Sequence, residues 1–299
     1  MSFSSSRASP IWLPVLLLLL AMISIQSGAS LAKTLFPLVG APGITALRLM
    51  LGTLILFVIF KPWRLRFSRQ RVVPLIFYGL ALGAMNYTFY LSIRTVPLGI
   101  AVALEFVGPL TLALVGSRKP LDFLWVALAL AGLWFLLPLG KSMAGVDPKG
   151  ALLALTAGAC WAIYILSGQR AGAEHGPATV AVGSLIASLV FVPVGFTFAD
   201  SGIWNLSILP IALAVAVLST AFPYTLEMVA LTRLPAKTFG TLMSLEPAMG
   251  AFSGMLFLGE LLTLPQWLGL LAIIIASAGA TLTLRPAKPK IESLNESAK

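Results

Sequence analysis

The chain has 299 residues, of which 59% are hydrophobic and 10% are charged. Ordinary soluble domains carry about 25% charged residues, so this composition excludes a soluble globular fold and indicates an integral membrane protein. The formal net charge of +10 would suggest a nucleic-acid partner in a soluble protein. Here the order of the cations along the chain gives the charge another explanation, so no nucleic-acid partner is expected.

Ten apolar stretches follow one another, and each has about the twenty residues that a helix needs to cross ~30 Å of hydrocarbon. They are 11–31, 40–60, 73–93, 99–117, 121–139, 150–168, 178–198, 207–229, 236–258 and 265–284. The linkers between them are too short to hold a separate soluble domain. The sequence therefore predicts an all-α integral membrane protein with ten transmembrane helices surrounded by the lipid bilayer.

The second five stretches echo the first five, with matching pairs such as Glu105 with Glu246 and Tyr87 with Tyr224. Because five is an odd number, the second copy enters the membrane in the opposite orientation. We therefore expect two inverted five-helix repeats, 11–139 and 150–284. A periplasmic linker, 140–149, joins them, and cytoplasmic tails, 1–10 and 285–299, flank them.

Inverted repeats recur in secondary transporters, where the binding site lies near the middle of the bilayer between the repeats. The alternative is a channel. It is disfavoured because the sequence shows neither a paired short half-helix motif nor a filter-like segment.

The basic residues are distributed unevenly across the predicted membrane. With a cytoplasmic N-terminus, 15 of the 20 Lys and Arg residues lie inside and 4 lie outside, while Arg48 lies within a span. The positive-inside rule then predicts that both termini are cytoplasmic. A secretory signal in the first thirty residues is the alternative, but its removal would leave nine spans and break the repeat.

Four ionisable side chains lie inside the spans, where a charge is costly: Arg48, Glu105, Glu227 and Glu246. Arg48 can either extend to the outer interface or face inward, where its planar donors suit the carboxylate of a substrate or of a glutamate. Glu105 precedes Pro109 by four residues, so its backbone carbonyl and its side chain both offer acceptors to a cavity. The alternative for Arg48 and Glu105 is a structural ion pair.

Glu246 lies near the middle of the ninth span, directly before Pro247, which is expected to free the carbonyl of Met243. Burial disfavours the charged form of a carboxyl group, so we expect Glu246 and also Glu105 to exchange protons. The alternative is a neutral, hydrogen-bonded acid with a structural role. Glu227 lies near the cytoplasmic end of the eighth span and is expected to reach water.

Polar and aromatic residues gather on the same spans. Amphipathic rings can wall a small pocket while their polar tips orient a ligand, although packing is the alternative for any single one. With Arg48 and Glu105, the predicted substrate-binding set is completed by Asn86, Tyr87, Trp161, Tyr164 and Tyr224. A zwitterionic amino acid needs a cation, an acid and neutral hydrogen-bond partners, and this set supplies them.

The sequence also lacks the motifs that several kinds of chemistry require. It has no G-x-x-x-x-G-K-[ST] loop, so the chain does not bind ATP by that route. One cysteine and one histidine supply neither a zinc cluster nor a convincing nucleophile-base set. We therefore expect no cofactor, no metal and no enzymatic activity, and we expect any transport to be driven by a gradient.

Five stretches carry a resemblance to a known family: 28–57, 60–67 ("FKPWRLRF"), 95–106 ("TVPLGIAVALEF"), 159–181 and 231–248 ("LTRLPAKTFGTLMSLEPA"). Over about residues 11–285 the chain resembles amino-acid exporters of the EamA-type branch of the drug/metabolite transporter superfamily. The resemblance implies an inner-membrane protein that exports L-threonine and L-homoserine by proton antiport. Related proteins export other metabolites or drugs on the same scaffold, so that alternative stays open.

Overall fold

The computed structural model describes residues 12–115, 120–136, 147–259 and 263–282. This part of the chain is all-helical, as predicted. The helices are α1 (Trp12–Thr34), α2 (Phe36–Phe60), α3 (Arg69–Ser92), α4 (Leu98–Glu105), α5 (Val107–Val115), α6 (Pro120–Leu136), α7 (Pro148–Ala171), α8 (Ala178–Thr197), α9 (Leu209–Ala216), α10 (Phe222–Leu231), α11 (Ala236–Leu242), α12 (Leu245–Leu258) and α13 (Leu264–Leu282). The predicted tails and most of the predicted linker lie outside the described residues.

Within the described ranges, seven helical runs are long and apolar enough to cross a membrane. They are Trp12–Thr34, Phe36–Phe60, Arg69–Ser92, Pro148–Ala171, Ala178–Thr197, Leu206–Leu231 and Thr238–Leu258. Three shorter apolar helices, Leu98–Leu112, Pro120–Phe135 and Trp267–Ala276, lie at the predicted fourth, fifth and tenth spans. The chain is a multi-pass membrane protein in which helices satisfy the backbone hydrogen bonds internally.

Two of these runs are broken near their middle. α4 ends at Glu105 and α5 begins at Val107, because Pro109 has no N–H to donate to the carbonyl of Glu105. α12 begins at Leu245, two residues before Pro247, and is separated from α11. The structure therefore has two pairs of half-helices, α4 with α5 and α11 with α12, which were not predicted from the sequence.

Helices from the two parts of the chain pack in antiparallel pairs. Between α2 and α8, Ser188 Oγ donates to the carbonyl of Leu49 at 3.2 Å, and Thr53 Oγ1 donates to the carbonyl of Ser184 at 3.1 Å. Residue numbers rise along one helix as they fall along the other, so the two helices run in opposite directions. The contacts of the glycines between α6 and α13 show that these two helices also run in opposite directions.

α3 and α7 pack side by side and are joined at both ends. At one end, Thr95 Oγ1 donates to Asp147 Oδ2 at 2.9 Å. This bond and the backbone N–H of Lys149 keep the pKa of Asp147 below its ordinary value, because both stabilise the carboxylate. At the other end, Arg71 Nη1 donates to the carbonyl of Arg170 at 2.9 Å. These contacts fix the relative position of two helices that contribute to the cavity described next.

Two glycines allow α5 and α7 to approach closely beside the break at Glu105. A Cβ atom on Gly108 would overlap the carbonyl oxygen of Gly158, and a Cβ atom on Gly158 would overlap the carbonyl oxygen of Glu105. Backbone atoms cannot rotate away as a flexible side chain can. Glycine is therefore required at both positions for this helix contact.

Candidate functional site

A cavity lies where α1, α2, α3, α4, α7, α10 and α12 meet, and its empty volume, which includes space open to solvent, is about 470 Å³. Its wall combines one guanidinium, three carboxyl groups, two amides and four aromatic side chains. The lining residues are Ile25, Gln26, Ala29, Arg48, Met85, Asn86, Phe89, Tyr90, Glu105, Trp161, Tyr224, Glu227 and Glu246. Such a mixture of apolar surface and a few converging polar groups is typical of small-molecule sites.

Arg48 faces inward from α2 and is 2% exposed. Its Nη2 donates to the carbonyl of Ser219 at 2.6 Å, and its Nε donates to Thr220 Oγ1 at 3.2 Å. Both acceptors belong to a π-helical turn, Val217–Ala221, between α9 and α10. Pro223, four residues after Ser219, has no N–H for an α-helical bond to this carbonyl, which accepts from Arg48.

Neutral groups complete the surroundings of Arg48. Its guanidinium carbon lies 4.7 Å from the ring centroid of Tyr90, which is within the range of a cation–π interaction. Nη2 also donates to the Tyr224 hydroxyl at 3.4 Å, and that hydroxyl donates to Asn86 Oδ1 at 2.9 Å. Within the described residues, the hydrogen bonds of Arg48 therefore go to neutral groups and not to the carboxyl group of Glu105.

Three buried carboxyl groups share the cavity with this guanidinium. Glu227 Oε2 accepts a hydrogen bond from the Tyr164 hydroxyl at 3.0 Å, and Glu246 Oε1 accepts one from an amide on α1 at 3.1 Å. Glu105 is 8% exposed and lies at the end of α4. Neighbouring acids in one small cavity influence each other. The charge of Glu105 therefore depends on how many protons the three carboxyl groups share.

The first turn of α12 places Glu246. The backbone N–H of Glu246 donates to the carbonyl of Met243 at 2.9 Å, so the carbonyl that was predicted to be free is occupied by a tight turn. The side chain of Glu246 is 4% exposed. A helix N-terminus favours negative charge, so α12 offers this carboxyl group a partial compensation for its burial.

The structure brings six of the eight predicted site residues into the cavity wall: Arg48, Asn86, Glu105, Trp161, Tyr224 and Glu246. Tyr87 is not part of the wall, and its ring packs against Phe191 with centroids 5.8 Å apart. Asn86 and Tyr90 are four residues apart on one face of α3, whereas Tyr87 is turned from Asn86 by about 100°. Tyr164 lies behind the wall and contacts the cavity through Glu227.

Seven of the thirteen wall residues were not predicted as site residues, and two of these seven carry a carboxyl group or an amide. Glu227 was expected to reach water, but it is 2% exposed and faces the cavity because it follows Tyr224 by three residues on one face of α10. Gln26 carries no charge, so the count of ionisable residues did not include it. A lone amide in the middle of an apolar span is the signal that identifies such a residue.

Known proteins share this sequence and architecture. The EamA-like transporter family matches residues 148–282. The threonine/homoserine exporter RhtA of Salmonella typhimurium (strain LT2) is 69% identical over 97% of this chain and 98% of its own length. The chain belongs to the EamA-like transporter family. It is accordingly a transporter and not an enzyme, as the sequence predicted.

Further relatives and a solved structure are also similar to this chain. The threonine/homoserine exporter RhtA of Escherichia coli (strain K12) is 68% identical over 97% of this chain and 98% of its own. The uncharacterized transporter YwfM of Bacillus subtilis (strain 168) is 32% identical over 54% of this chain and 57% of its own. A solved crystal structure superposes with a TM-score of 0.71 over 90% of this chain and 96% of that chain. Its identity is 19%, so it supports the fold alone.

Proposed function

We propose that this chain is a secondary-active exporter of small amino acids, with L-threonine and L-homoserine as its substrates. The observation that carries the proposal is a cavity lined by one guanidinium, three carboxyl groups and several neutral hydrogen-bonding groups. Such a set matches a zwitterion with a hydroxyl group. The relatives that are 68–69% identical are named threonine/homoserine exporters, which supports the same substrate class.

Arg48 is the proposed partner of the substrate carboxylate. Its hydrogen bonds within the described residues use Nε and Nη2, so the donors on Nη1 are available to an anion. Glu105 lines the same cavity and favours the cationic end of the substrate through its charge. Asn86, Trp161 and Tyr224 supply neutral contacts, while Tyr164 supports the wall from behind.

The proposed architecture is ten transmembrane helices in two inverted repeats, residues 11–139 and 150–284. α2 and α8 occupy equivalent places in the two repeats, as do α6 and α13, and each pair is antiparallel as inverted copies require. The two broken runs also occupy equivalent places, with Glu105 and Glu246 at the breaks. Discontinuous helices between repeats are typical of transporter binding sites.

The proposed driving force is proton antiport across the bacterial inner membrane, with both termini in the cytoplasm. Glu246 is the proposed proton carrier, and Glu105 is the next candidate. Buried acids in a transport cavity can load and release protons as the cavity opens alternately to each side. The cytoplasmic position of the termini rests on the distribution of Lys and Arg along the sequence.

Counterflow in proteoliposomes tests this function. Vesicles that contain the purified protein and an internal pool of unlabelled L-threonine should accumulate labelled L-threonine, and external L-homoserine should compete. An imposed pH gradient should drive net movement, with protein-free vesicles as the control. Lack of exchange would contradict the substrate assignment, whereas exchange that ignores the pH gradient would contradict proton antiport alone.

A further inference from the structure

Three polar atoms of the cavity wall have no hydrogen-bond partner in the structure. Tyr90 Oη can donate as well as accept, whereas Gln26 Oε1 and Glu246 Oε2 are acceptors. The two side chains are 2% and 4% exposed. They are linked to each other, because Gln26 Nε2 donates to Glu246 Oε1 at 3.1 Å. A buried acceptor without a donor is costly, so two such acceptors on linked side chains of one cavity indicate a ligand that brings donors of its own.

We propose that Gln26 Oε1 and Glu246 Oε2 form the subsite for the ammonium group of the substrate. This inference rests on the proposed export of amino acids. An ammonium group brings three N–H donors and no acceptor, and its positive charge matches the carboxylate of Glu246. A hydroxyl group has one donor only, so it cannot satisfy both acceptors at once. Gln26 thereby becomes a determinant of specificity for primary amines.

The surrounding contacts fix Gln26 in the position that this role requires. Ser253 Oγ lies 3.1 Å from the backbone carbonyl of Gln26 and donates to it, while Ser30 Oγ lies 2.9 Å from Ser253 Oγ. These bonds join α1 to α12 behind the cavity. Gly250 keeps the space beside the amide narrow but open, because a Cβ atom there would lie 3.3 Å from Gln26 Oε1.

Together with Arg48, this subsite recognises the two ends of an amino acid by separate groups. The guanidinium binds the carboxylate, and the Gln26–Glu246 pair binds the amine. Compounds that keep the carbon skeleton and the carboxylate but lack the amine should bind weakly. 3-Hydroxybutyrate has this relation to threonine and is the probe for the subsite.

The test measures how strongly L-threonine and 3-hydroxybutyrate each inhibit labelled threonine counterflow. The wild-type protein should prefer threonine by about tenfold or more. Gln26→Met keeps the length of the side chain but removes the acceptor. It should therefore weaken the inhibition by threonine about tenfold and leave the inhibition by 3-hydroxybutyrate unchanged. The preference for threonine therefore shrinks. Equal weakening of both ligands, or an unchanged preference, overturns the proposal.

Thr53→Ala is the matched control, because it removes buried hydrogen bonds between α2 and α8, away from Gln26, without altering the cavity wall. It should keep the wild-type preference. Gln26→Glu retains an acceptor and covers the case in which Gln26→Met does not reach the membrane. It should prefer threonine at least as strongly as the wild type, and a smaller preference overturns the proposal. Absence of threonine exchange by the wild type would instead contradict the proposed function itself.

Discussion

Arg48 holds a positive charge inside the protein, where an uncompensated ion costs several kcal/mol. A backbone carbonyl, two hydroxyl groups and the ring of Tyr90 share the stabilisation of that charge. Because these partners are neutral, the guanidinium keeps its attraction for an anion. A direct ion pair with Glu105 would neutralise that attraction and would suit a structural role instead.

Single changes at Arg48 and Glu105, combined with the double change, test this arrangement. Arg48→Gln and Glu105→Gln should each weaken threonine affinity by about 1.5–3 kcal/mol, roughly tenfold or more, because a charge-assisted contact is lost. The measurements are counterflow affinity and membrane abundance, with Glu174→Gln in an exposed loop as the control. If the double variant regains both quantities, the two residues form a structural pair and do not bind substrate.

Glu246 is the residue at which coupling to protons is expected. Glu246→Gln keeps the size of the side chain and an acceptor oxygen but removes the titration. It should abolish transport driven by a pH gradient, while exchange at saturating threonine should continue. The measurement is efflux with and without an imposed gradient. Wild-type response of this variant to the gradient would move the coupling site to Glu105.

At the scale of helices, proline and glycine explain several features that were predictable from sequence. The break after Glu105 follows from Pro109, and the close contacts of Gly79 and Gly83 with α8 follow from their small-residue spacing. The inward position of Glu227 was missed because its place was inferred from its distance to the cytoplasmic end of the span. Its spacing of three residues from Tyr224 puts both side chains on one face of α10. The π-helical turn before α10 was not predictable, because such a shift of hydrogen bonds leaves no clear periodic signal in an apolar sequence.

The glycine contact between α5 and α7 should be sensitive to a single methyl group. Gly158→Ala places a Cβ atom against the carbonyl oxygen of Glu105, so it should destabilise the protein by about 1–3 kcal/mol through overpacking. Thermal unfolding in detergent and membrane abundance are the measurements. Leu166→Ala on the same helix is the control, because Leu166 is exposed. Equal stability of Gly158→Ala and the wild type would contradict the close contact.

At the scale of the whole molecule, composition and hydropathy were enough to predict a helical membrane protein. They were not enough to predict the whole cavity wall. Each helix contributes only one to four side chains to that wall, and the rotation of each helix is set by packing against its neighbours. Two errors resulted. Tyr87 was predicted to line the cavity but faces away from it, and Gln26, which carries no charge, was not predicted but faces inward.

The orientation of the molecule in the membrane can be tested with reporter fusions. Fusions after residue 299 and within the loop 61–72 should report the cytoplasm, because 15 of the 20 Lys and Arg residues lie on the side of these segments. A fusion in the predicted linker 140–149 should report the periplasm and serves as the comparison. A periplasmic C-terminus would refute the arrangement of ten spans.

The π-helical turn at Val217–Ala221 sets the rotation of α10 about its own axis. It accommodates one residue more than an α-helix would need over the same stretch, so every later side chain is turned by about 100° around the helix axis. In this phase Tyr224 and Glu227 point into the cavity. With an uninterrupted α-helix, a different stripe of α10 would face the other helices. A single wide turn therefore selects which side chains this helix presents to a substrate.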